Sequence, residues 1–130
     1  MMACNCHGKR GEAERRVAPE DQCTMCAYKH VRNARHAWGE FTYELDNRSY
    51  VAGQLRLAIE HLKFDHIPTA LKCRDIAAVI DEAMDADIRD VAVRLSAIEK
   101  DVRTLFYTDH PEAQERIFLL KKLYNASNPK

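Results

Sequence analysis

The chain has 130 residues, 46% apolar and 31% charged, with 20 basic and 20 acidic side chains and a formal net charge of zero. That describes one globular domain, long enough to bury a core without staples. It excludes a transmembrane helix, because no run of 18 apolar residues occurs, and a zero net charge argues against a general polyanion binder.

The opening residues, MMACNCHGKRGEAERR, lack the apolar stretch of a secretory signal, so a cytoplasmic protein in a reducing compartment is expected. Residues 1–22 show no hydrophobic period. They carry Gly8, Gly11, Pro19 and many charges, too little apolar surface to offset the entropy of ordering them. The reading is therefore an irregular, cysteine-containing segment over 1–22 and a helical domain over 23–130. Charge is uneven between the ends. Residues 1–36 hold seven Lys or Arg against four Asp or Glu.

From Cys23 the pattern changes. Ala27, Val31, Ala34, Trp38, Phe41 and Leu45 step by 4, 3, 4, 3 and 4, which is one face of a helix of about 22 residues. Asp21 is a candidate cap, and Asp46-Asn47 a candidate end. A second helix follows from about residue 49, with Val51, Leu55, Ala58, Ile59 and Leu62 inward. FDHIPT breaks it, because Pro68 has no N–H and biases Ile67 away from helical geometry. Thr69 is a candidate next cap.

Residues 69–107 contain neither Gly nor Pro. Their apolar positions are Cys73, Ala77, Ile80, Met84, Ile88, Val91, Leu95, Ile98, Val102 and Leu105. The steps are heptad-like with one extra step of four, which resembles a stutter. One helix over this stretch would be about 58 Å long. The alternative is two helices broken in DADIRD, with Asp85 or Asp87 as cap. The single helix is the favoured reading, and its length points to a protein partner or self-association along it. Pro111 suits the first turn of a last helix with Ala113, Ile117, Leu120 and Tyr124 inward. No strand signal occurs, so the expected fold is all-α, a bundle of four to five helices.

Four of the five cysteines lie in the first 26 residues: Cys4, Cys6, Cys23 and Cys26. The pattern is C-x-C, 16 residues, then C-x-x-C. Clustered cysteines in a reducing compartment indicate metal or redox chemistry rather than disulfides. Zn²⁺ favours four tetrahedral ligands, and thiolate is its preferred structural donor. A zinc ion held by Cys4, Cys6, Cys23 and Cys26 would pin the N-terminal segment to the first helix and supply the ordering it lacks. His7 and His30 are reserve ligands. Cys73 stands alone among apolar neighbours and reads as a small core residue.

Cys23, Cys26 and His30 also form C-x-x-C-x-x-x-H. Here the chain resembles the AhpD-like (carboxymuconolactone decarboxylase-like) alkylhydroperoxidases, all-α proteins with this motif at the start of a long helix. That resemblance implies Cys26 as the thiol that attacks peroxide, Cys23 as the resolving thiol and His30 as the proton relay. The family's glutamate on a preceding helix has only Glu12 and Glu14 as counterparts. A second resemblance, over residues 4 to about 80, is to small uncharacterised helical proteins of phages and bacteria. They carry an N-terminal C-x-C, a C-x-x-C-x-x-K-H helix start and an inward His-Leu pair; CTMCAYKH and IEHL match these. It brings no activity, and it allows a phage or accessory bacterial protein, located in the host cytoplasm or virion.

Glu40, Glu44, Glu60 and His61 invite comparison with di-iron bundles, but no Glu-x-x-His pair occurs. His61 and His66 read as capping residues near a helix end. Lys29, Arg32, Arg35 and His36 form a basic stripe, with Asp81, Glu82, Asp85, Asp87 and Asp90 as an acidic complement within the chain. A zinc-dependent nucleic-acid binder using the basic end is a third reading, unsupported by any helix-turn-helix or C2H2 pattern. The first reading is a zinc-stabilised helical protein that binds or assembles with other proteins, without catalysis. The second is a thiol peroxidase or oxidoreductase.

Overall fold

The computed structural model describes residues 16–41, 45–82 and 88–113, with 115, 119, 120, 122 and 123; side chains are described over the same residues except 39–41, 45–47 and 88. Four long helices make the fold: α1 Thr24–Phe41, α2 Leu45–Glu60, α3 Ile67–Glu82 and α4 Ile88–Asp109. Helical backbone resumes over 111–113 after His110. No strand occurs among the described residues, as expected for an all-α bundle.

Each helix packs on its neighbours in chain order, and α4 closes the ring against α1. Cross-helix contacts give the directions. Thr24 meets Asp109 while Arg35 meets Glu99, so α4 runs antiparallel to α1. His30 meets Gln54 while Arg48 lies over Trp38, so α2 also runs antiparallel to α1. The inward faces form one core. Ala27, Val31, Ala34 and Trp38 come from α1, and Val51, Leu55 and Ala58 from α2. Cys73, Ala77 and Ile80 come from α3, and Val91, Leu95, Ile98 and Val102 from α4. These are the positions that the 3- and 4-residue steps selected.

The stretch 69–107 is not one helix. The apolar seam is continuous in sequence but folds back, so its two halves, on α3 and α4, face each other with Lys72 beside Asp101. α3 ends at Glu82 and α4 starts at Ile88. A solitary 58 Å helix would leave this stripe in water; folding it back buries both halves. Described seam residues of both helices are thereby buried in the core.

Helix boundaries also differ from expectation. The first helical bond of α1 runs from Ala27 N–H to Cys23 O, so Cys23, not Asp21, takes the N-cap position. Pro19–Asp21 form a separate 3₁₀ turn. Asp46-Asn47 open α2 rather than close α1, consistent with the preference of such residues for a helix's first turn. Ala70 N–H bonds to His66 O, so His66 rather than Thr69 caps α3. Pro68 sits in the first turn of α3, where its missing N–H leaves no bond unmade. Leu120, expected inward, is 60% exposed; Ile117 and Tyr124 lie outside the described residues.

Gly53 lies in the interior of α2, and a Cβ built there meets nothing within 4 Å. Glycine in a helix costs about 0.5–1 kcal/mol relative to alanine. Gly53→Ala should therefore raise stability by about that amount, read as a higher urea midpoint at an unchanged slope. An equal or lower midpoint would mean the glycine serves a close contact.

Candidate functional site

The C-x-x-C pair sits where the N-terminal segment enters the bundle. Cys23 is the N-cap of α1 and Cys26 is three residues on. The N-cap and N3 side chains of a helix approach each other, the geometry that capping boxes use. Both thiols are buried, at 7% and 9% exposed, in a small cluster that Met25 helps to cover. Neither is in a disulfide.

The segment before α1 is tied to the end of α2. Val17 is 4% exposed, and its N–H donates to Glu60 Oε1 at 3.1 Å. Gln22 spans the corner. Its Nε2 donates to Glu60 O at 2.6 Å, while its Oε1 accepts from the N–H groups of Phe64 and Asp65 at 3.4 Å. On the other side Thr24 Oγ1 donates to Asp109 Oδ2 at 2.7 Å, joining the starts of the chain's helices to their end. Residues 16–22 are thus part of the packed structure even though their composition is polar. Backbone and amide groups hold them, which no hydrophobic period can reveal.

Of the proposed zinc ligands, the structure brings Cys23 and Cys26 together, whereas Cys4, Cys6 and His7 lie outside the described residues. Among the described residues no group of three or more metal-ligating side chains converges. The reserve ligand His30 points into the bundle, one turn beyond Cys26. His30 Nδ1 lies 2.8 Å from Gln54 Oε1, which also accepts from Asn33 Nδ2 at 3.3 Å. An amide oxygen can only accept, so in this contact His30 Nδ1 is the donor. His30 stacks on His61, with centroids 6.2 Å apart and planes 20° apart.

This polar layer was only half visible beforehand. The resemblance built on IEHL implied an inward His-Leu pair, and His61 and Leu62 are 1% and 0% exposed. His61, read as a capping residue near the helix end, is thus buried at that end. Its partner His30 is 31 positions away, and sequence spacing carries no signal for that stacking. Glu60 and His61 do not share a ligand set; Glu60 instead bonds to Val17 and Lys63.

Cys73 is a core residue, as its surroundings indicated, at 0% exposed. Burial, followed by the charge of Asp101, pushes its thiol from 9.0 up to about 12. The unfolded chain ionises this thiol from pH 9, while the folded chain holds the proton until about 12. Stability from this group is intact below pH 9 and falls as pH rises through that window. Wild-type protein should lose about 1.4 kcal/mol more than Cys73→Ala between pH 8 and pH 10. Denaturation curves at the two pH values measure this, and parallel losses in the two proteins would refute it.

The ion pairs among the described residues join the basic stripe and the acidic residues to other partners as well. Arg35 pairs with Glu99 at 2.8 Å, Asp81 pairs with Arg56, and Asp90 pairs with Arg94 at 3.0 Å. Folding the seam back puts Glu99 of α4 beside α1. Asp85 and Asp87 lie outside the described residues. Glu99 was missed although it stands at heptad spacing among buried positions, Leu95, Val102 and Phe106.

No described helix is long and apolar enough to cross a membrane. The chain matches no family model, no curated protein and no solved structure.

Proposed function

We propose that this chain is a zinc-clipped helical protein that works by binding other proteins, without catalysis of its own. The observation that carries the reading is the paired burial of Cys23 and Cys26 at the start of α1, where residues 16–22 run in against the end of α2. Two thiolates at N-cap and N3 supply half of a tetrahedral zinc set, and Cys4 and Cys6 supply the other half in number and chemistry. A binding role rests on apolar side chains left outside the bundle. Leu119, Leu120 and Leu123 are 50%, 60% and 64% exposed on helical residues, and Phe64, Ile67 and Leu71 are exposed around the start of α3. Exposed apolar side chains offer surface that a protein partner could cover.

Native mass spectrometry of the reduced protein tests the metal. One zinc per chain is expected, absent from Cys4→Ser and Cys26→Ser alike and removed by chelator with a loss of stability. Metal-free wild type of equal stability would sink the reading.

Redox chemistry is the second reading, favoured by one feature: the thiols stand at a helix N-terminus, where the dipole stabilises thiolate, one turn before His30. It predicts peroxide turnover that Cys26→Ser abolishes and Cys4→Ser leaves intact. The deep burial of both thiols weighs against it, because peroxide must reach the attacking sulfur.

A further inference from the structure

A cleft of about 490 Å³ opens between α1 and α4, away from the cysteines. Arg32, Arg35 and His36 line one wall, Ser96 and Glu99 the other, and Trp38 lies beneath. We propose that this cleft binds a small phosphate monoester, with Arg32 and Arg35 as its anion contacts.

The chemistry follows from the lining. Glu99 is 7% exposed and holds Arg35 through one guanidinium nitrogen, Nη1, at 2.8 Å. That bond fixes the direction of a planar fork with five donors, and a single acceptor leaves the others to a ligand. Arg32 lies three residues earlier on the same helix and, among the described residues, makes no ion pair or hydrogen bond. Two guanidiniums three residues apart lie on one face, one turn from each other. Together they match the several oxygens and double charge of a phosphate monoester better than a lone carboxylate does. His36 and the Ser96 hydroxyl add polar groups at the same opening. Glu99 pairs with Arg35, and Arg32 adds a second guanidinium at the same opening.

Shape selects the class of ligand. The cleft is concave, and its volume lies within the range of small-molecule sites, about 300–1,000 Å³. A nucleic-acid backbone needs a longer basic track, which the chain's zero net charge does not provide. An acidic helix would need a groove longer than the two turns that Arg32 to Trp38 span.

Trp38 is the chain's single tryptophan, so its emission reports on the cleft. The experiment titrates the whole protein with inorganic phosphate and with ribose 5-phosphate, against sodium chloride at matched ionic strength. A saturable change with both phosphates and none with chloride is expected, with ribose 5-phosphate the tighter. Arg32→Gln should weaken binding at least about tenfold, the loss of one charged hydrogen bond, without moving the denaturation midpoint. Arg35→Gln leaves Glu99 buried alone and is destabilised, so Arg35→Gln/Glu99→Gln replaces it, and this folded double variant should lose binding as well. An unchanged affinity in Arg32→Gln overturns the proposal, as does a response that chloride reproduces. Binding of polyglutamate in preference to both phosphates also overturns it and would make the face a surface for an acidic protein.

Discussion

Leu95→Ala is expected to destabilise the bundle by about 3–5 kcal/mol. Leu95 is 0% exposed and among the largest fully buried side chains. It lies near the middle of α4, the helix that packs against both α1 and α3. Removing its isobutyl group deletes transfer free energy and opens a cavity between helices that α1 and α3 hold apart. A domain of this size is stable by only about 5–15 kcal/mol, so the variant loses a large share of its margin. The control is on the same helix. Val93 is 67% exposed, and Val93→Ala should change stability by no more than about 0.5 kcal/mol. Urea denaturation of the two variants tests the rotational setting of α4 directly. Equal losses would mean that the inward face is assigned to the wrong residues.

That rotational setting was legible from the sequence because it depends on local geometry alone. Val91, Leu95, Ile98 and Val102 are inward since 3.6 residues make a turn, whatever else the chain does. The same holds for Ala27, Val31, Ala34 and Trp38. Where the helices stop was less legible. The corner between α3 and α4 carries neither Gly nor Pro, and each local residue there tolerates a helix. What separates one long helix from two short ones is the burial of the seam, a tertiary gain that no window of sequence contains. The same reversal decides which charges meet. Counting charges proposed the cluster around Asp81 to Asp90 as partner of the basic stripe, yet antiparallel packing of α4 on α1 presents Glu99 to Arg35. The cysteine pair was legible as a pair, since N-cap and N3 are three apart by construction. The stacking of His30 on His61 was not, because it depends on how α1 and the end of α2 meet.

Glu99 provides the other large effect. Arg35→Met should cost about 2–3 kcal/mol, while Lys72→Met should cost less than about 1 kcal/mol. Both substitutions keep an unbranched apolar stem and delete one cationic end, so volume and packing change little. The difference lies in the carboxylate left behind. Asp101 is about half exposed and 3.4 Å from Lys72; water replaces the ammonium at small cost. The Glu99 side chain is 9% exposed, against 53% for Arg35, so removing the guanidinium strands a charge that solvent scarcely reaches. The half-exposed arginine keeps the figure below that of a fully buried pair. A second substitution separates charge from packing. Glu99→Gln in the Arg35→Met background should recover most of the loss, because a neutral amide has a far smaller desolvation cost. The cycle is read from four urea curves, and the coupling is the non-additive part of the double variant. Additive losses would show that Arg35 acts through its stem on the helix surface. Coupling of about 1–2 kcal/mol would establish Glu99 as the group that fixes the guanidinium at the mouth of the α1–α4 cleft.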